Sequence, residues 1–150
     1  MQKTSILFVC LGNICRSPMA EFIMKHIVTE NGLSDSFIIS SAATSAEEQG
    51  NGMHYGTRRV LTDKGIPFTQ HYARRLTEKD YDKYDYIIGM DRNNIRDMTA
   101  FFGGDPKNKI SLLLSFAGEN RSVADPWYTG DFEKTYDDIL LGCKALYQSI

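Results

Sequence analysis

The chain is short of several things, and each shortage removes a class of function. No apolar stretch approaches the ~20 residues that a membrane-crossing helix needs, so no membrane span is expected. The run from Ile6 to Val9 is too short for the apolar segment of a secretory signal. Cysteine is sparse. Cys10, Cys15 and Cys143 cannot build the disulfide framework of a small secreted domain, which makes a reducing cytoplasm the expected home. No Cys-x2-Cys or His-x3-5-His spacing accompanies them, so no metal and no cofactor are expected. A formal net charge of −2 gives no general reason to bind nucleic acid or acidic membranes. Any anion site must therefore be local. Repeats, low-complexity tracts and linker-like composition shifts are also missing, and 150 residues fit a single domain over 1–150.

What is present alternates between short apolar runs and amphipathic helical patterns. Strands are predicted over Ser5 to Val9, Phe37 to Ser41, Tyr84 to Met90 and Ile110 to Leu114. Helices are predicted from Ser17-Pro18, read as N-cap and first helical residue, to Gly32, and from Tyr55 to Lys64. A short one begins near Thr77 to Asp80, another runs from Arg92 to Phe102 behind an Asp91 cap, and a final one follows Asp131. Ala42 to Gly56 and the polar segment through Tyr128 read as loops, and Phe68 to Leu76 is ambiguous. Alternating strands and helices predict an α/β fold with a four-stranded parallel sheet flanked by helices on both faces. Ligands in such folds sit beyond the carboxyl ends of the strands. Cys10 falls at that edge, as do the strand ends near Ser41 and Met90.

The stretch that carries chemistry is Ile6-Leu-Phe-Val-Cys10-Leu-Gly-Asn-Ile-Cys15-Arg16-Ser17-Pro18. A bare Cys-x5-Arg pair would arise by chance about one time in six at this composition, but its context strengthens it. A strand enters, a helix leaves, and Gly12 and Asn13 permit unusual backbone angles. Backbone N–H groups in such a loop converge on one point, and the helix N-terminus adds partial positive charge. A cysteine so placed becomes a nucleophile. Arg16 offers a planar fork for two phosphate oxygens, where lysine would offer a point charge. The Ser17 hydroxyl can donate to the sulfur as it leaves.

Val9 to Pro18, Ser41-Ala-Ala-Thr-Ser45 and Asp125-Pro126, in that order, resemble the low-molecular-weight protein tyrosine phosphatases over essentially Lys3 to Tyr147. The resemblance implies phosphotyrosine hydrolysis through a phosphocysteine on Cys10. Arg16 and the amides of Leu11, Gly12, Asn13, Ile14, Cys15, Arg16 and Ser17 would bind phosphate, and Asp125 would act as general acid and then base. On its own Asp125-Pro126 is an ordinary turn, as Asp105-Pro106 shows. The resemblance also implies that Asn13, Ser17, Ser41 and His71 hold the loop in shape. The stretch before His71 is one residue longer than is common. Cys15 is implied as a redox partner of Cys10, with a merely packed thiol as the alternative. Cys143 is read as core, His26 as helix packing and His54 as surface.

Leu11, Ile14, Glu47, Trp127 and Tyr128 are expected to rim the pocket, with aromatic walls around a phosphotyrosyl ring. Glu47 departs from the family pattern, which places an aromatic there, and weakens one wall. The two arginine pairs, Arg58-Arg59 and Arg74-Arg75, read as solvated faces. The expected partners are phosphotyrosine-containing proteins and a tyrosine kinase, with the chain a monomer. An arsenate reductase on the same scaffold is the runner-up, but it needs a downstream cysteine pair. A sugar-transport phosphocysteine carrier would not need Arg16. A phosphotyrosine-binding module could dispense with Cys10 and Asp125.

Overall fold

A computed structural model describes residues 2–150. Its centre is a parallel sheet of four strands in the order β2-β1-β3-β4, with β1 Thr4–Cys10, β2 Phe37–Ala43, β3 Tyr86–Gly89 and β4 Ile110–Leu112. The chain leaves β1 for β2 on one side and later returns to β3 on the other. This makes the carboxyl end of β1 a topological switch point, where neighbouring loops diverge and open a crevice. Alternation along β1 sends Ile6, Phe8 and Cys10 to one face and Leu7 and Val9 to the other. Both faces are covered, which is why the run shows no polar alternation.

Helix α1 (Arg16–Glu30) packs with the last helix against the Cys10 face. Arg16 through Met24 are buried, so its first two turns bury more than one face. Helix α1 starts at Arg16, two residues before the Pro18 start read from Ser17-Pro18. Cys15 is its N-cap and no side chain caps it; the Ser17 hydroxyl lies inside the helix's first turn and faces Cys10 and Asn13. Next come α2 (Tyr55–Asp63), α3 (Asp80–Lys83) and α4 (Arg92–Phe102). Asp91 caps α4 in a capping box with Asn94. Strand β4 is shorter than its apolar run, since Leu113–Ala117 turn into a 3-10 helix.

The polar segment after Gly118 contains a short helix, α5 (Pro126–Thr129), with Asp125 as its N-cap and proline at its start. Helix α6 (Phe132–Ser149) closes the chain. Its Gly142 permits close approach: a Cβ there would lie 2.5 Å from Leu113 Cγ. The ambiguous stretch before Leu76 is extended and makes two single bridges, Gly52 with Tyr72 and Ala43 with Arg75. Two surface readings need correction. Arg74 is half-buried and pairs with the buried Asp80 at 3.0 Å, whereas Arg75 is exposed as expected and donates to the Thr44 carbonyl at 3.1 Å. His54 is half-buried, stacked on Phe132 at 5.0 Å between ring centres. His26 is also only half-buried and faces Glu30.

Candidate active site

The loop between β1 and α1 wraps around the Cys10 sulfur. Asn13 sits in the left-handed region at φ 60°, a conformation asparagine tolerates, and its N–H donates to Cys10 Sγ at 3.3 Å. The N–H groups of Leu11, Gly12, Ile14 and Cys15 find no acceptor among the described residues. These donors and the N-terminus of α1 make a cradle for an anion.

A buried side-chain network holds the cradle, and its hydrogens run in one sense. The Arg74 N–H donates to Asn13 Oδ1 at 3.1 Å, which turns the amide's Nδ2 toward Ser17 and Ser41. Nδ2 donates to Ser17 Oγ at 2.8 Å and to Ser41 Oγ at 2.9 Å. Ser41 sends its own proton to Glu21 Oε1 at 2.6 Å. Ser17 Oγ already accepts from Asn13, so its proton is free for Cys10 Sγ at 3.0 Å. The Ala42 carbonyl, at 3.5 Å, is a poorer competitor. From the opposite side His71 Nε2 donates to the Asn13 carbonyl at 2.9 Å.

Arg16 is 3% exposed and fixed from behind. Its Nη1 pairs with Asp91 Oδ2 at 2.9 Å and donates to the Val123 carbonyl at 3.0 Å. Nη2 reaches Asp125 Oδ2 at the longer distance of 3.4 Å. Nε has no partner among the described residues, so Nε and Nη2 form the free edge of the fork. Asp125 Oδ1 accepts from the Trp127 N–H at 3.0 Å, which sets the carboxyl at the pocket wall.

Cys10, Leu11, Gly12, Asn13, Ile14, Cys15 and Arg16 line a cavity of about 150 Å³ together with Glu47, Asp125, Trp127 and Tyr128. Ser17, Ser41 and His71 stand behind it. Burial, with Cys10 and then Asp125 adding to it, pushes the Cys15 thiol up to about 12, so Cys15 is held protonated. Cys143 is wholly buried on α6 with its sulfur 3.8 Å from the Ala20 carbonyl, and it does not line the cavity.

Five participants escaped the sequence reading. Ser45 and Glu48 also line the cavity. Glu48 Cγ lies 3.3 Å from where a Gly12 Cβ would be, so Gly12 leaves room for it. Asp91, Glu21 and Arg74 hold Arg16, Ser41 and Asn13. Asp91 was findable, because it directly follows a strand end on the ligand edge. Nothing in the spacing marked Glu21.

A cysteine at the carboxyl end of a central parallel strand, inside a cradle of amides closed by a buried arginine, defines a cysteine-dependent phosphatase. The family model described as low molecular weight phosphotyrosine protein phosphatase matches residues 5–150. The low molecular weight protein-tyrosine-phosphatase YfkJ of Bacillus subtilis is 41% identical over 148 residues, covering 97% of this chain and 95% of that protein. The low molecular weight phosphotyrosine protein phosphatase of Rattus norvegicus is 42% identical over 149 residues, covering 96% and 94%. The crystal structure of YfkJ superimposes with a TM-score of 0.96 at 40% identity, covering 100% of this chain and 96% of that one. The chain belongs to the low molecular weight phosphotyrosine protein phosphatase family. Among the described residues, no helix is long and apolar enough to cross a membrane.

Proposed function

We propose that the chain hydrolyses phosphotyrosine in proteins, and small aryl phosphates, in two steps on Cys10. The Cys10 thiolate attacks phosphorus while the free edge of Arg16 and the loop amides carry the three equatorial oxygens. The P–O bond to the phenol breaks and Asp125 gives the leaving oxygen its proton. As a carboxylate, Asp125 then takes a proton from water. That water attacks the phosphocysteine, and the departing sulfur receives the Ser17 O–H hydrogen bond. Inorganic phosphate leaves and the thiolate is restored.

One observation carries this reading. Asp125, 109 residues beyond Arg16, arrives at the cavity that Cys10 floors. A binding module needs no such acid, and an arsenate reductase needs a downstream cysteine pair, where this chain has Cys143 alone, buried in the core. Leu11, Trp127 and Tyr128, with Glu47 opposite, form the walls proposed to select the flat phosphotyrosyl ring. Cys15 is the proposed resolving thiol: peroxide oxidises Cys10 to a sulfenic acid, and Cys15 condenses with it, releasing water and closing a disulfide.

The test is metal-free turnover of aryl phosphates at mildly acidic pH. Cys10→Ser should abolish turnover and keep vanadate binding. Asp125→Ala should slow esters of poor leaving groups most, by about 10²–10⁴-fold. Full activity in Cys10→Ser would sink the mechanism. Equal rates on phosphoserine and phosphotyrosine peptides would sink the selectivity.

A further inference from the structure

We infer that Thr135 and Asp138, one turn apart on α6, are positioning residues for Asp125. They pin the segment that delivers the acid and so set how well it reaches the leaving oxygen. The inference rests on the reading of Asp125 as general acid.

Between Gly118 and Asp125 the chain forms no helix or strand, so its path depends on separate ties. Two come from the phosphate side: the Val123 N–H donates to the Met90 carbonyl at 2.9 Å, and Arg16 Nη1 donates to the Val123 carbonyl at 3.0 Å. A third comes from α4, whose Arg92 Nη2 donates to the Asn120 carbonyl at 3.3 Å, and two more come from α6. The Thr135 hydroxyl donates to the Ala124 carbonyl at 3.0 Å, sharing its proton with its own helix at Asp131 O, 3.3 Å away. Arg121 Nη2 donates to Asp138 Oδ1 at 3.0 Å, and Arg121 Nε to Glu119 at 2.6 Å. The Ala124 carbonyl belongs to the peptide bond that joins Ala124 to Asp125. A tilt of that peptide moves the acid directly.

The two side chains are costly where they stand. Thr135 is 0% and Asp138 2% exposed. A buried carboxylate is tolerated only when paired. Asp138 places both its cations, Arg121 and Lys134, on Oδ1, while buried Oδ2 has no partner among the described residues. Helix α6 gains little from Thr135, since β-branched threonine is a modest helix former, and Asp138 gives it one i,i+4 pair with Lys134. What both accomplish is a hold on the acid-bearing segment. The hold is firm because the same helix is locked into the core through Ile139, Cys143 and Leu146, each fully buried.

Misplacement of a catalytic group by about 1 Å can cost about 10²-fold. The experiment compares kcat/KM for phenyl phosphate, whose leaving group needs a proton, with that for dinitrophenyl phosphate, whose leaving group does not. Thr135→Val keeps the side chain's shape, and Asp138→Asn keeps its size. Each should lose about tenfold on phenyl phosphate, a part of what a general acid supplies, and stay within about twofold on dinitrophenyl phosphate. Dinitrophenyl phosphate turnover also reports that the variant is folded; if Asp138→Asn does not fold, Thr135→Val decides alone. A uniform loss on both esters, or no loss, overturns the inference. Asp125→Asn in the same series separates the two readings. If it does not steepen the leaving-group dependence, the acid assignment fails and takes the inference with it. If it does and both α6 variants keep the wild-type slope, only the inference fails.

Discussion

The two halves of the site are built in opposite ways. The phosphate loop is eight consecutive residues, Cys10 to Ser17, running from the last residue of β1 into α1, with Asn13 and Ser17 fully buried and Arg16 nearly so. Its shape follows from its own backbone and a closed network of side chains behind it. The acid-bearing segment has no regular structure until α5, ends in the exposed Trp127 and Tyr128, and takes its place from ties to Met90 just beyond β3, to Arg16, to Arg92 and to α6. The proposed nucleophile is thus held locally and the proposed acid at a distance. Damage to the first half should slow every substrate alike. Damage to the second should grow with the leaving group's need for a proton.

The largest effect expected is from Arg16→Lys. Lysine could meet Asp91 or the phosphate, but not both with a planar edge. Losing a preorganised donor to the developing charge costs about 10²–10³-fold, and kcat/KM should fall by that much. The fall should be parallel across aryl phosphates of graded leaving group. A change of slope would show that the halves are coupled through the Arg16–Asp125 contact and do not work separately.

Asn13→Ala should act in the same direction with a smaller amplitude. It removes the donors to Ser17 and Ser41 and the acceptor of the Arg74 N–H, and it leaves a residue at positive φ with no side chain to support it. Buried groups left unpaired cost about 1–3 kcal/mol, so thermal unfolding should shift down by several degrees. Activity should drop about tenfold on every ester, since about 1.4 kcal/mol of lost support is a factor of ten. Vanadate binding measured alongside should weaken, because the same network shapes the cradle. Unchanged binding with lowered turnover would move Asn13 from shaping the loop to the chemistry itself.

Legibility in the sequence follows the same division. Cys10, Arg16 and Ser17 could be read because a strand, a turn and a helix lie within one window, whereas Ser41 came by resemblance and sits two residues before the neighbouring strand ends at Ala43. The four strands and their parallel order followed from apolar runs separated by helical patterns. Ser17-Pro18 misled, because a serine before proline has the look of a helix cap when its hydroxyl is free, and here it is not. Asp91 was accounted for as a cap by one oxygen while the other held Arg16. Asp125 stood out only by resemblance, and its ties through Thr135 and Asp138 were hidden among the polar positions of an amphipathic helix. Side chains that act across long separations leave no local period, so spacing could not mark them.

The smallest effect tests the distant hold without using catalysis. Burial opposes the Asp138 carboxylate, but hydrogen bonds and charge from Arg121 and Lys134 outweigh it and hold the group below the ordinary carboxylate value. A carboxyl depressed in the folded state adds stability that is fully present above its unfolded value, about 3.9, and is lost as pH falls through the folded value. Asp138→Asn should therefore lower stability at neutral pH and matter progressively less below about pH 4. Arg121 and Lys134 are 40% and 53% exposed, so solvent screens the pairs and the neutral-pH loss should be only about 1–2 kcal/mol. That is about 3–6 °C for a chain of this size. Thermal unfolding of both proteins from pH 7 to pH 2 measures it. A stability gap for Asp138→Asn that stayed constant with pH would mean that the carboxylate's charge holds nothing and that only its shape matters to the acid segment.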